Sequence, residues 1–268
     1  METEFFDESW LGKVISFTGP NTSWRLTGKL RDKNDQFSAG EMKHFPDAIS
    51  GAYGTFRCQN VHSIAESAIM RIAMQIPHAG AKPDSFTGQA SGSLPSYGQL
   101  MLDAYGTLQT RECRSAPRLL NMKRESQDHT GMLPGGSILY LLIEKAPGEQ
   151  LDSPGFWGLG RRERDRIRQA FKAAWEECVA KGYRPYGDVS SLFWDSSACK
   201  MSVSLPFLTR SKADNTSTIY NFMTAYPTEP HTEWFNVLWI VWGLAKAPDG
   251  YRWWVETEKD SDMRRWTF

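Results

Sequence analysis

The sequence predicts an α+β protein in which strands dominate the first half of the chain and helices the second. Three observations carry this reading. Two apolar runs of strand length, Ala68–Ile76 and Ser137–Lys145, lie in the first half. The clearest helical period, residues 161–180, lies in the second half. A Pro147-Gly148 break stands between the two regions. With 268 residues the chain is long enough for two lobes sharing a cleft, placed at 1–145 and 146–268.

Taken in order, residues 10–31 read as short strands and turns, with Gly19-Pro20-Asn21 as a turn signal. Residues 32–50 are polar and read as loop. Gly51-Ala-Tyr-Gly54 reads as a tight glycine turn leading into Thr55–Cys58. Ala68–Ile76 is a strand, and Pro77–Pro95, rich in Gly and Pro, a loop. Ser96–Thr107 reads as a helix with Leu100, Ala104 and Leu108 on one face, weakened by Gly98 and Gly106. Residues 117–122 suggest a strand, residues 123–132 turns, and Ser137–Lys145 a strong strand. In 161–180, Ile167, Ala170, Phe171, Ala174, Trp175, Cys178 and Val179 recur at helical spacing, and Gly182 is the stop. The arginines at its start, with Glu163 and Asp165 among them, read as a solvated face. Val189–Trp194 and Met201–Leu205 read as a hairpin around Asp195–Ser197. Glu233–Ala245 is apolar almost all round and reads as a buried helix.

Composition removes several function classes. Lys plus Arg and Asp plus Glu number 31 each, a formal net charge of zero. This argues against a nucleic-acid binder, which must neutralise phosphates, and against a polybasic membrane anchor. No apolar run approaches the ~18 residues of a membrane span. The opening METEFFDESW has no continuous apolar core, so no signal peptide is expected there. Cys58, Cys113, Cys178 and Cys199 are scattered and form no CxxC pair. That argues against a zinc site or disulfide framework and for a reducing, cytoplasmic setting. The five histidines are isolated in sequence, and no phosphate-binding GxxxxGK[ST], GxSxG elbow or HExxH is present. The unusual quantity is tryptophan, with 11 residues in a chain that is 13% aromatic. Such side chains build a core or line an apolar pocket.

The segments PGGSILYLLIEKAPGEQL, FWGLGRRERDRIRQAFKAAWEECVAKGY, SLFWD and WGLAKAP, with GAYGTFRC and AIMRIAMQIP upstream, resemble a group of fungal proteins with a protein-kinase-like fold of the aminoglycoside- and choline-kinase type. The resemblance covers roughly residues 50–250 and implies a bilobal fold, with a strand-rich N-lobe and a helical C-lobe. It puts Gly51–Gly54 at the glycine-rich turn, Arg71 at the strand lysine, Gln99 at its helical glutamate partner and Ile143–Lys145 at the hinge. Tyr186–Ser191 falls at the catalytic loop and Ser202–Phe207 at the metal-binding loop.

Phosphoryl transfer needs an Asp to position the acceptor, an Asn and a second Asp for magnesium, and a Lys on the phosphates. Here Asp188 stands too close to Ser191 for the usual Asp-to-Asn spacing, Ser191 replaces the Asn, and MSVSLPF carries no carboxylate. Arginine at 71 has a different shape and reach from lysine. The resemblance is therefore to a degenerate member that has lost phosphotransfer, with no metal residue and no cofactor expected.

The reading that follows is an enzyme of fungal specialised metabolism acting without ATP or metal on an apolar small molecule in the inter-lobe cleft. Cyclisation, isomerisation or a pericyclic step of Diels–Alder type suits such a site, because each needs restriction of the substrate and a donor on a developing charge. Arg71, Gln99 and Tyr186 are the candidate donors, and Asp188 is an acid or base to recruit. Phe193, Trp194, Tyr53 and the hinge Glu144 are the candidate substrate-facing residues. A structural role competes at each: hairpin packing for Trp194, an ion pair for Arg71. Two other functions stay open: a non-catalytic, pseudokinase-like binding or regulatory protein, and a divergent small-molecule phosphotransferase with Asp188 as base.

Overall fold

A computed structural model describes residues 4–19, 22–82, 85–86, 88–204, 226–229, 231–251 and 263–268. The chain packs as two compact units. Among described residues the first takes 4–103 and 118–145, and the second takes 104–117 and the rest from 146 onward.

The first unit is built on one antiparallel sheet of six strands: β1 (Val14–Ser16), β2 (Ser23–Asn34), β3 (Gly51–Asn60), β4 (Ser67–Gln75), β5 (Leu119–Ser126) and β6 (Ser137–Glu144). Their order is β1-β2-β3-β4-β6-β5. The one-turn helix α1 (Ala39–Met42) follows β2, closed by a capping box between Ser38 and Glu41. Helix α2 (Ser96–Thr110) lies between β4 and β5 in sequence, and its residues from Ala104 onward belong to the second unit. β4 and β6 are buried along most of their length, which explains their near-continuous apolar sequence. On one side, Phe5, Phe6, Trp24, Leu26, Phe56, Met70, Ile72, Tyr140 and Leu142 form a core.

Three expectations change in this unit. Residues 32–50, read as loop, carry the last residues of β2 and the short helix α1. Gly51-Ala-Tyr-Gly54 is not a turn but the start of β3, with Gly51 opposite Gln75 and Gly54 opposite Ile72. The glycines are there for close packing. A Cβ on Gly54 would lie 2.7 Å from Phe56 Cε2 and 3.1 Å from the Phe6 ring, and one on Gly51 would lie 2.7 Å from Pro95 Cβ. Residues 123–126, read as turn, continue β5, because pairing with the apolar β6 holds this polar edge segment extended.

The second unit centres on α4 (Arg161–Ala180), whose bounds are those of the predicted helix. Its buried stripe of Ile167, Phe171, Ala174, Trp175, Cys178 and Val179 is the apolar period read from the sequence. Gly182, at φ +88°, ends it. Around it stand β7 (Glu149–Gln150), α3 (Ser153–Gly158), β8 (Tyr183–Arg184), β9 (Leu192–Asp195), β10 (Lys200–Val203), β11 (Tyr226–Pro227) and α5 (Leu238–Val241). β7, β9 and β10 form a three-stranded antiparallel sheet, so a hairpin is present, but its first strand starts at Leu192 because Val189–Ser191 is a 3-10 turn, and Leu205 lies outside the described residues.

The expected helix over Glu233–Ala245 shrinks to the four residues of α5. Tryptophan, phenylalanine and β-branched residues, which lose rotamer freedom in a helix, crowd this stretch. Their rings pack directly instead: Trp234 lies 5.3 Å from Trp175 and 4.6 Å from Trp239, and Trp242 lies 4.7 Å from Phe171. Gly243, at φ +69°, then turns the chain.

Phe171 is fully buried among Trp234, Trp239 and Trp242. Phe171→Ala is expected to lower unfolding free energy by about 3–5 kcal/mol in urea titrations. Leu120→Ala, at a side chain 41% exposed, should change it by no more than about 0.5 kcal/mol.

Candidate functional site

Four of the eight candidate residues belong to the first unit. Arg71 sits at the centre of β4, opposite Thr55 on β3 and Leu141 on β6, and is 6% exposed. Helix α2 approaches this strand closely: a Cβ on Gly98 would lie 2.9 Å from Ala73 Cβ. On α2, Met101 meets the guanidinium, with Sδ 4.0 Å from Nη1. Gln99 is exposed on the helix, and its amide donates to Asp103 Oδ1 at 2.8 Å. The buried stripe of α2 is Met101, Ala104, Tyr105 and Leu108: Ala104 and Leu108 are as predicted, and Met101 takes the place of the half-buried Leu100. That one-position change in the facing residue takes Gln99 off the inner face.

Tyr53 is fully buried in β3. Its hydroxyl donates to Asp35 Oδ2 at 3.0 Å, and the Gly51 N–H donates to Oδ1 of the same carboxylate at 2.7 Å. Burial, reinforced by the Asp35 charge, pushes the Tyr53 phenol well above its ordinary pKa. Glu144, at the end of β6, pairs with Arg118 through two bonds of 3.0 Å. Both partners are substantially exposed, so water screens the pair and it contributes little to stability.

The other four belong to the second unit. Asp188 is exposed and caps the 3-10 turn Val189–Ser191, accepting from the Ser190 N–H at 2.8 Å and the Ser190 hydroxyl at 2.5 Å. Its carboxylate is thus engaged in its own loop. Ser191 and Ser202 are each 5% exposed. Of the expected metal-binding segment Ser202–Phe207, residues 205–207 lie outside the described residues. Tyr186 is half-buried in the loop before the turn. Phe193 and Trp194 alternate on β9, so they face opposite sides of its sheet.

Trp194 borders a cavity of about 510 Å³ within this unit. The size suits a small organic molecule. Its walls come from Gly148 and β7, from α3 with Phe156, from the first turn of α4 with Glu163, and from the Asp195–Ser197 turn. Gly148 is required here: it has φ +83°, and a Cβ on it would collide with the Trp194 backbone. The Trp194 indole N–H donates to Glu163 Oε1 at 2.9 Å, and Arg166 holds the other oxygen at 3.3 Å.

Four carboxylates, Glu149, Asp152, Glu163 and Asp195, line the cavity, and no lysine or arginine does among the described residues. Asp195 accepts from the Ser197 hydroxyl at 2.6 Å and from the backbone of Ser197 and Ala198. The serine hydroxyl, then these amides, hold its pKa below the ordinary carboxylate value, so it stays charged at neutral pH. Among the described residues, no three histidine, cysteine or carboxylate side chains come close enough together to hold a metal ion. None of the described helices is long and apolar enough to cross a membrane.

Of the sequence-derived set, Trp194 alone lines this cavity. Phe156, Asp152 and Glu163 escaped the sequence reading. Glu163 was read as part of a solvated face. The signal that could have singled it out is its place in the first turn of a helix otherwise crowded with arginines.

No protein-family profile matches the chain, and no curated protein matches it in sequence. Among solved structures that match is the kinase PK-1 of Cydia pomonella granulovirus, at 11% identity and a TM-score of 0.35, covering 67% of this chain and 49% of the viral one. The chain thus spans about half the length of that structure.

Tyr53→Phe should cost about 1–2 kcal/mol at pH 8, because it leaves the buried Asp35 carboxylate short of a donor. The raised phenol contributes stability that is fully present below pH ~10, the unfolded value, and is lost as pH rises toward the higher folded value. Urea midpoints measured from pH 8 to 11 should fall above pH ~10, and less steeply in Tyr53→Phe. Tyr140, also raised by burial, keeps its own share of the slope.

Proposed function

We propose that the chain is a kinase-like protein that has given up phosphotransfer and acts on a small organic molecule without nucleotide or metal. A cyclisation, isomerisation or pericyclic step, in the specialised-metabolism setting implied by the sequence resemblance, is the reaction class. The observation that carries the reading is the charge of the cavity beside Trp194. Four carboxylates, with no lysine or arginine lining the cavity among the described residues, repel a triphosphate and favour a molecule with an apolar body and a basic group.

The kinase positions support the same direction. In working kinases a strand lysine pairs with a helix glutamate and reaches the nucleotide phosphates. Here the strand residue is Arg71, buried against the thioether of Met101, and Gln99 turns along its own helix. Asp188 caps its own loop, and Ser191 supplies no charge for a metal.

Within the cavity, Trp194 supplies an apolar wall, backed by the fully buried Phe156, and the Glu163 carboxylate, oriented by the Trp194 indole and Arg166, supplies a fixed negative charge. A developing positive charge on a folded substrate is stabilised by such a group when water is thinned out around it.

A second reading, a non-catalytic binding protein, is favoured by one observation. Gln99 and Asp188, expected as donor and base, both spend their side chains on their own segments.

A thermal-shift screen of apolar amines against matched neutral analogues should yield stabilising compounds mainly among the amines. Glu163→Gln and Trp194→Ala should weaken binding of a hit at least about tenfold by calorimetry. Conversion of a hit to an isomer of equal mass, followed by chromatography without added cofactor, supports the enzymatic reading. Binding without conversion supports the second. Hits confined to neutral or anionic compounds would contradict the assignment of this cavity.

A further inference from the structure

Two thiols 65 positions apart in sequence meet in the second unit. Cys113 Sγ lies 3.7 Å from Cys178 Sγ. Both are free, and they are 8% and 1% exposed. The meeting point is built from two helix ends. α2 closes with the paired bonds of a Schellman motif: the Cys113 N–H donates to Leu108 O at 2.9 Å and the Glu112 N–H to Gln109 O at 3.1 Å. Glu112 takes the left-handed position at φ +54°, which glycine normally fills. α4 closes at Gly182, whose N–H donates to Val179 O at 2.8 Å, leaving Cys178 in its last turn.

Two further ties bracket the thiols. Arg111 Nη1 donates to Lys181 O at 3.1 Å, adding a cation to the carbonyl end of α4. Glu177 accepts from the Arg114 N–H at 2.9 Å and from the Ser115 hydroxyl. The backbone on both sides of the pair is therefore held in register before any covalent bond forms.

We propose that Cys113 and Cys178 are a reversible oxidation site, at which a hydroperoxide converts the two thiols into a disulfide stapling the end of α2 to α4. Cys113 is the attacking sulfur. It is the more exposed of the two and sits between the exposed residues Glu112 and Arg114. The hydrogen bond shared with Cys178 holds the Cys113 pKa below its ordinary value, and the same bond, together with burial, pushes Cys178 up.

In the first step the Cys113 thiolate attacks a peroxide oxygen, the O–O bond breaks, and the leaving oxygen departs as hydroxide and takes up the thiol proton as water. The product is a sulfenic acid on Cys113. In the second step the Cys178 sulfur attacks that sulfur and the S–S bond forms. The S–O bond breaks, and hydroxide leaves with the Cys178 proton as a second water. With hydrogen peroxide, two thiols and one peroxide give one disulfide and two waters. Closing from 3.7 Å to a bond of about 2.0 Å asks for less than 2 Å of approach.

The remaining cysteines set the contrast. Cys58 is sealed in the first unit's core, its thiol pushed up to about 12 by burial. Cys199 is exposed, in the turn between β9 and β10. Reduced protein treated with one equivalent of hydrogen peroxide should lose about 2 Da and give a Cys113–Cys178 peptide in a non-reducing map. Its Tm should rise by about 5–15 °C and return with dithiothreitol. Cys113→Ser and Cys178→Ala should each abolish the rise, and Cys199→Ser should leave it intact. A wild-type map showing oxidation only at Cys199, or sulfinic acid at Cys113 with no cross-link, overturns the proposal. That map decides the matter even if a variant fails to fold.

Discussion

The hydrogen bond from the Trp194 indole to the Glu163 carboxylate, 2.9 Å long, ties the first turn of α4 to the β9–β10 hairpin and sets the character of the cavity between them. A bond to a charged acceptor contributes about 1.5–3 kcal/mol, enough to hold a large ring in one orientation. It fixes the indole as a wall and the carboxylate as a charge in the same place. The cavity's other features depend on that pairing. Gly148 is needed because the chain crosses the Trp194 backbone with no room for a Cβ, and Asp195 is locked by its own turn immediately beyond the indole.

The interior of this unit explains the abundance of tryptophan. Trp234, Trp239 and Trp242 pack around Phe171 in edge-on and tilted contacts, Trp175 packs edge-on against Trp234, and Trp194 is turned to the cavity wall. Edge-on and tilted geometries suit the ring quadrupole. The cost is regular backbone: the segment that carries three of these rings keeps only four residues of helix. Side-chain packing has overridden a strong apolar pattern, as tertiary contacts commonly do when local propensity is weak.

Elements with a single dominant period were legible from sequence. α4 shows its buried stripe at three- and four-residue spacing and runs from Arg161 to Ala180 as expected. β4 and β6 stand out because both faces are covered. What escaped depends on contacts between distant segments. Gly51 and Gly54 look like turn residues because their real function, making room for Pro95, Phe6 and Phe56, is invisible along the chain. Glu163 looks like surface charge because its partner is 31 positions away. The scattered cysteines argue against a disulfide framework, yet two helix ends bring one pair to 3.7 Å. Gln99 was displaced from its expected role because Met101, two positions further along α2, meets Arg71 instead, which no apolar count resolves.

The proposed function requires that the carboxylate-lined cavity beside Trp194 favour a basic molecule over a triphosphate. Isothermal titration of MgATP into the protein at low ionic strength, where electrostatic effects are least screened, tests it most directly. The account predicts no saturable heat up to millimolar nucleotide. A one-to-one isotherm, strengthened by magnesium and abolished by Asp188→Asn, would contradict it.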